Sequence, residues 1–260
     1  MDHGLLFKGP MARALLEGRK TQTRRVVTWH NSSLDGRRVG HKGALRRLWD
    51  SLDWSRAKAR AGSFVVPSLL EPGDETWHRA HPIYQPGDLI WVKETWGLLW
   101  PEGCDDGLIY DEEHHDGRPI TADECNVVYR ADTGDEYPGG WDPDEARGNP
   151  EAPKWRSAML MPRRRCRLTM RVTQARAQRL QQISEADAAA EGIKPFKHGR
   201  GFIDPTRPEV LCHLGHTMPT ARAAFQKLWD HINAPRGLGW AANPPVWALS
   251  FEPVKENPNA

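Results

Sequence analysis

Leu15-Leu16-Glu17-Gly18-Arg19-Lys20-Thr21-Gln22-Thr23-Arg24-Arg25 joins a short apolar helix pattern to a strand, with a glycine stop between them. Upstream, Pro10 sits where a first helical turn tolerates its missing donor, and Gly4 to Phe7 is an apolar run suited to a strand. Downstream, Thr21 to Val27 reads as a strand by its β-branched content. The junction crowds a lysine, two threonine hydroxyls and three arginines together. A dehydrated lysine can act as a base, a neighbouring threonine as a nucleophile, and arginines suit phosphate or carboxylate. A solvated basic strand face is the simplest alternative. In a regular strand Lys20 and Thr23 point to opposite faces, so they converge only if Lys20 lies in the corner after Gly18 or a bulge intervenes.

The rest of the chain is punctuated by turn signals. Gln85-Pro86-Gly87-Asp88 precedes a strand from Leu89 to Thr95, and Asn126 to Arg130 reads as another. Met159 to Met161 and Arg165 to Thr173 are expected strands, the second with Cys166, Leu168, Met170 and Val172 alternating with polar residues. Ser184 caps a helix that runs to Glu191 and stops at Gly192; Thr220 to Asn233 is amphipathic; Val246 to Phe251 closes the chain as a strand. Residues 28 to 85 show little pattern apart from a helix near Ala44 to Leu52. The absence of βαβ alternation predicts a mixed α+β domain of barrel type, with flanking helices and long insertions at about 28–85, 97–125, 132–157 and 194–219.

With 260 residues and a net charge of +2, the chain has length for a large core and no global polycationic field. The basic runs are local, at Arg19 to Arg25 and Arg163 to Arg167. Four scattered cysteines make no CxxC pair, and Cys212-His213-Leu214-Gly215-His216 lacks a companion ligand cluster, so neither a disulfide framework nor a metal is expected. No glycine fingerprint for a nucleotide cofactor occurs, and no cofactor is expected. The absence of a membrane-length apolar run or a signal-peptide layout favours a cytoplasmic protein, with a monomer expected.

The ordered pieces resemble the ASCH domain family, relatives of the PUA fold. The matching segments are Leu16-Glu17-Gly18-Arg19-Lys20-Thr21-Gln22-Thr23-Arg24, Pro86-Gly87-Asp88-Leu89-Ile90-Trp91-Val92, the strand from Arg167 to Thr173, the helix from Ile183 to Ile193 and the closing Val246 to Glu252. Lys93-Glu94-Thr95-Trp96 and Met161-Pro162-Arg163 look like pieces of the larger ASCH proteins of phages and prophages. The family includes a bacterial amidohydrolase that deacetylates N4-acetylcytidine with a lysine, a threonine and a glutamate. By resemblance those catalytic roles fall on Lys20, Thr23 and Glu191 of a single domain spanning residues 1–260, and the implied substrate is an acylated cytosine, as nucleoside or nucleic acid.

Loop position, charge and ring type nominate further substrate contacts: Arg24, Arg25 and Arg163 for phosphate, Trp91 and Trp96 for stacking a base, and Lys93 with Glu94 at the end of a buried strand. Two functions stay open, an amidohydrolase and a non-catalytic reader of RNA, DNA or a modified base. A nuclease has less support, since no Asp/Glu/His cluster suits a two-metal site.

Overall fold

The computed structural model describes residues 1–60, 62–68, 76–99, 108–109, 118–119, 121, 123, 125–133, 154–196, 200–206 and 217–254. The first elements are β1 (Asp2–Leu6), α1 (Gly9–Leu16), β2 (Gln22–Val26), β3 (Ser32–Leu34), β4 (Arg37–Arg38) and α2 (Ala44–Asp50). They are followed by β5 (Lys58–Arg60), β6 (Ser63–Pro67), β7 (Trp77–Pro82), β8 (Leu89–Lys93), β9 (Trp96–Leu99), β10 (Leu108–Ile109) and β11 (Arg118–Pro119). The remainder are β12 (Asn126–Tyr129), α3 (Arg130–Thr133), β13 (Thr169–Arg179), α4 (Glu185–Ala190), β14 (Phe202–Ile203), β15 (Thr217–Met218), α5 (Ala221–Asn233) and β16 (Pro245–Pro253).

The chain divides into two compact units. The first comprises Met1–His3, Glu17–Leu89 and Met170–Pro253; the second comprises Gly4–Leu16, Ile90–Thr169 and Val254–Ala260. The class is mixed α+β with several sheets, and no closed barrel is found among the described residues. No described helix is long and apolar enough to cross a membrane.

In the first unit, β16 pairs antiparallel with both β13 and β2. Strand alternation gives this sheet two distinct faces. One face carries Arg24, Val26, Val246 and Ala248. Val246 packs with Leu180, Ile183, Ala188, Ala224 and Phe225 in a core that includes α4 and α5. The other face carries Thr23, Arg25, Trp247 and Leu249. Trp247 meets the Phe64 ring at 5.3 Å and donates its indole N–H to Ser32 Oγ at 3.0 Å. Phe64 and Ser32 belong to a second, open antiparallel sheet of order β4-β3-β7-β6-β5. A helical layer and a β layer thus cover the two faces of β16.

The second sheet occupies the 28–85 stretch, where the sequence pattern suggests an irregular insertion with one helix. The helix is present as α2. The strands escape pattern reading because they are short and place few apolar residues inward, such as Leu34, Phe64, Val66 and Ala80. Their outward positions hold Arg, His and Lys.

Two expected strands shift. Met159 to Met161 is not extended: Ala158–Leu160 forms a 3-10 turn, with Ser157 Oγ accepting from Met159 N. Arg163–Arg165 is a second such turn after Pro162, so the strand expected from Arg165 begins at Thr169. It also runs on to Arg179, through residues of weak β-propensity, because β16 supplies a partner along that length. Large parts of the expected insertions at 97–125, 132–157 and 194–219 lie outside the described residues, as does Cys212-His213-Leu214-Gly215-His216.

In the second unit, β9 pairs antiparallel with β12, and Trp96, Met161 and Cys166 form its buried cluster. Substituting Ser32→Ala leaves the buried Trp247 N–H without its acceptor. A loss of about 1–3 kcal/mol is expected in urea unfolding, and little further loss in a Trp247→Phe background, which removes the donor.

Candidate functional site

Two left-handed glycines set the geometry of the Lys20 region. Gly18 has φ 71° and Gly192 has φ 94°, values that favour glycine. The first turns the chain out of α1, so that Lys20 precedes the regular strand β2. The second ends the helical run just after Glu191. Between them Lys20 and Glu191 form an isolated antiparallel bridge, and Thr21 N donates to Ala190 O at 2.8 Å. Lys20 therefore lies in the corner that convergence requires.

The side chains meet as well. Lys20 Nζ donates to Glu191 Oε2 at 2.7 Å and to the Glu191 carbonyl at 2.9 Å. Arg24 takes the other carboxylate oxygen, with Nη1 to Oε1 at 3.0 Å, and its Nη2 reaches Asp187 Oδ2 at 2.9 Å. Asp187 also accepts from Arg176 at 3.0 Å and from Gln22 at 2.9 Å. The Arg24 guanidinium lies 5.9 Å from the Phe225 ring centroid. Lys20 is only 1% exposed, and Arg24 and Glu191 are buried beside it.

Glu191 is the C-cap of α4, at the negative end of the helix. Cations offset that charge. Lys20 caps the Glu191 carbonyl, and Arg19 Nη1 donates to the Gly192 carbonyl at 2.7 Å. At the other end, Ser184 Oγ accepts from Asp187 N at 3.1 Å. The short helix is thus held at both ends by polar side chains.

Dehydration dominates the chemistry of Lys20 and lowers its pKa from the ordinary lysine value. The charge and hydrogen bond of Glu191 oppose that fall, while Arg25 and Arg24 assist it. For Asp187 burial alone would raise the pKa. The Gln22 hydrogen bond and the charges of Arg24 and Arg176 outweigh it, holding the carboxyl below its usual range. Arg25 is half-buried, and dehydration lowers its pKa against the opposing influence of Tyr84.

Thr23 is buried, on the face of β2 opposite Arg24 and beside Leu249 of β16. Among the described residues its hydroxyl makes no hydrogen bond. The structure therefore joins Lys20 to Glu191 directly and places Thr23 on the adjoining strand without a bond to the amine. Asp187, Arg176 and Gln22 complete the polar network and are not singled out by the sequence reading. The helical spacing of Asp187 and Glu191 was their available signal, since residues four apart share a helix face.

The remaining candidates lie in the second unit. Glu94 is 1% exposed and bidentate with Arg167, at 2.9 and 3.0 Å. Arg167 also reaches Asp132 at 2.7 Å and lies 3.9 Å from the Tyr129 ring centroid. Glu94 is thus a buried anchor for Arg167. Trp91 is half-buried with Lys93 and Arg163 at 5.2 and 5.6 Å from its ring, and Lys93 Nζ donates to Met159 O. Arg163 also donates to Thr169 Oγ1 at 3.2 Å. Trp96 is a core ring beneath Arg156. Among the described residues no group of three His, Cys, Asp or Glu side chains is arranged to hold a metal.

Comparison with protein-family models, curated proteins and solved structures finds no match to the chain.

The Lys20–Glu191 pair yields a stability test. Glu191→Ala leaves a buried amine without its carboxylate partner, and an expected loss of about 3–5 kcal/mol is read by urea unfolding. The double variant Lys20→Met/Glu191→Gln removes both charges and recovers part of that loss. A cost for Glu191→Ala near that of an exposed salt bridge, ~0–1 kcal/mol, contradicts the buried pairing.

Proposed function

We propose that the chain is an amidohydrolase that removes an acyl group from N4-acylated cytosine, with Lys20, Thr23 and Glu191 as its reactive groups and an ASCH-type, PUA-like domain as its scaffold. The observation that carries this reading is the buried Lys20 amine held on Glu191, with its proton affinity reduced by dehydration. A neutral amine has two N–H bonds. Both are accounted for by the Glu191 carboxylate and carbonyl, which leaves the lone pair free to accept a proton.

In the proposed reaction Thr23 Oγ attacks the acyl carbon while Lys20 takes the hydroxyl proton. That proton passes to N4 as the C–N bond breaks, releasing cytosine and leaving an acyl-threonine ester. Water, deprotonated by Lys20, attacks the ester carbon. The carboxylic acid leaves and Thr23 recovers its proton. Glu191 orients the amine and stabilises its protonated form, and Arg24 holds Glu191 in place. Arg25 lies on the Thr23 face of β2, where its charge suits a phosphate or a base carbonyl.

One observation favours a second reading, a binding module for a modified base: Thr23 lies on the opposite strand face from Arg24, with no hydrogen bond from its hydroxyl among the described residues. Assay with N4-acetylcytidine decides between them. Cytidine release is expected, falling about 10²-fold or more in Lys20→Met and Thr23→Val. No turnover of nucleoside or acylated RNA, together with preferential binding of acylated over unmodified oligonucleotide, assigns the module instead.

The pH profile has a definite sign. Activity requires neutral Lys20, so kcat/KM rises with pH through a pKa below the ordinary lysine value. Arg25 is the larger of the two cationic influences that lower it. In Arg25→Gln the acid limb moves to higher pH, and an unmoved limb excludes Lys20 as the titrating base.

A further inference from the structure

The second sheet of the first unit has an outer face that the proposed chemistry does not use. Its inner face is fixed by the fully buried Leu34, Phe64, Val66 and Ala80. Alternation sends the intervening positions outward, and the register aligns them. Arg79, Val65 and Lys58 form one row across β7, β6 and β5; His81, Ser33 and Arg38 form another across β7, β3 and β4. Trp77 lies two residues before Arg79 on the same face. Arg38, Lys58, Arg60 and Arg79 are exposed, and none has an ion pair among the described residues. Trp77 is 38% exposed, with Lys58 Nζ at 5.1 Å and Arg56 at 5.7 Å from its ring.

Charged residues on edge strands guard against edge-to-edge pairing, which accounts for Lys58 and Arg60 on β5 and for Arg38 on β4. It does not account for Arg79 and Trp77. They stand on β7, the central strand of the sheet, where no edge needs protection. Asp35, at the β3–β4 turn, is occupied by His78 and the Arg79 backbone N–H. The field across the face is positive. After dehydration, the charge of Arg79 is the next influence lowering the pKa of His81.

We infer that this outer sheet face binds single-stranded nucleic acid, with Trp77 as a base-stacking platform and Arg38, Lys58, Arg60 and Arg79 as phosphate contacts. Same-face residues along β7 stand ~6.8 Å apart, and rows two strands apart stand ~9.6 Å apart, so a strand crossing the face passes several cations within one or two nucleotides. An indole with cations beside its ring combines the two elements that sequence-tolerant single-strand binding uses, a stacking plane and a basic track. The surface is separate from Lys20, and the inference does not depend on the amidohydrolase reading.

Fluorescence anisotropy of the full chain with labelled dT12 and rU12 tests it. Binding is expected to weaken with added salt, with a log–log slope near −3 for four neutralised phosphates. Trp77→Ala is expected to weaken binding about tenfold or more. Lys58→Ser/Arg79→Ser should reduce the slope by about 1.4. All three positions are exposed, and unchanged circular dichroism and thermal unfolding confirm that each variant folds. The inference is overturned by no binding at 100 µM protein, or by binding indifferent to these substitutions. Equal affinity for a DNA duplex with no effect of Trp77→Ala overturns it too. Turnover of N4-acetylcytidine by Trp77→Ala keeps this result distinct from the fate of the amidohydrolase reading.

Discussion

The network of buried Lys20, Arg24 and Glu191 with half-buried Asp187 is the constraint on which the first unit depends. Removing several charges from water is costly, and such a network is tolerated only when its hydrogen-bonding positions are filled. Here both oxygens of Glu191 and both oxygens of Asp187 accept from cations or from Gln22. The partners come from the Lys20 corner, β2, β13 and α4, so the same bonds fasten the helix to the sheet. They also specify register. A one-residue slip that put Thr23 in the place of Arg24 would leave the Glu191 and Asp187 carboxylates short of a cation.

What fastens the helix to the sheet also sets the state of the Lys20 amine. An amine that must be dry to hold α4 against β2 is an amine with weakened affinity for its proton. Glu191 opposes that weakening. Arg24 acts in the other direction twice, by sharing the carboxylate and by placing a positive charge near Lys20. A lysine on a solvated strand has neither influence. The distinction between a dehydrated amine and an ordinary surface cation therefore rests on the glycine turns that bring the chain into this corner.

The parts legible in the sequence were those with local signatures. Gly18, Ser184, Gly192 and Thr220 mark helix boundaries that the structure contains, because capping is decided within a few residues. The closing strand is legible from the apolar run at Val246 to Phe251. The second sheet is not, since an outward arginine or histidine beside an inward alanine produces no periodicity over three to six residues. Arg165 illustrates another limit: its alternation with neighbours is sound, yet Pro162 and the turn that follows it delay the strand to Thr169. At the site, Lys20 and Glu191 were nominated by resemblance, while Asp187 and Arg176 acquire meaning only when β13 and α4 come together. Glu94 lies after β8 as its loop reading implies, but nothing local announces the bidentate arginine 73 positions later.

The two faces of β2 pose the remaining question in physical terms. Gln22 and Arg24 look toward α4, whereas Thr23 and Arg25 look toward the layer that contains Tyr84 and Phe64. Lys20 bonds on the same side as Gln22 and Arg24, toward α4. Its bonds run to Glu191, yet its proton affinity responds to Arg25 more than to Arg24. The amine therefore occupies a position influenced from both faces at the end of the strand. Thr23, by contrast, makes no hydrogen bond to that amine among the described residues and stays on the Arg25 face. The corner after Gly18 fixes the amine on Glu191, and the alternation of β2 fixes Thr23 on the other face.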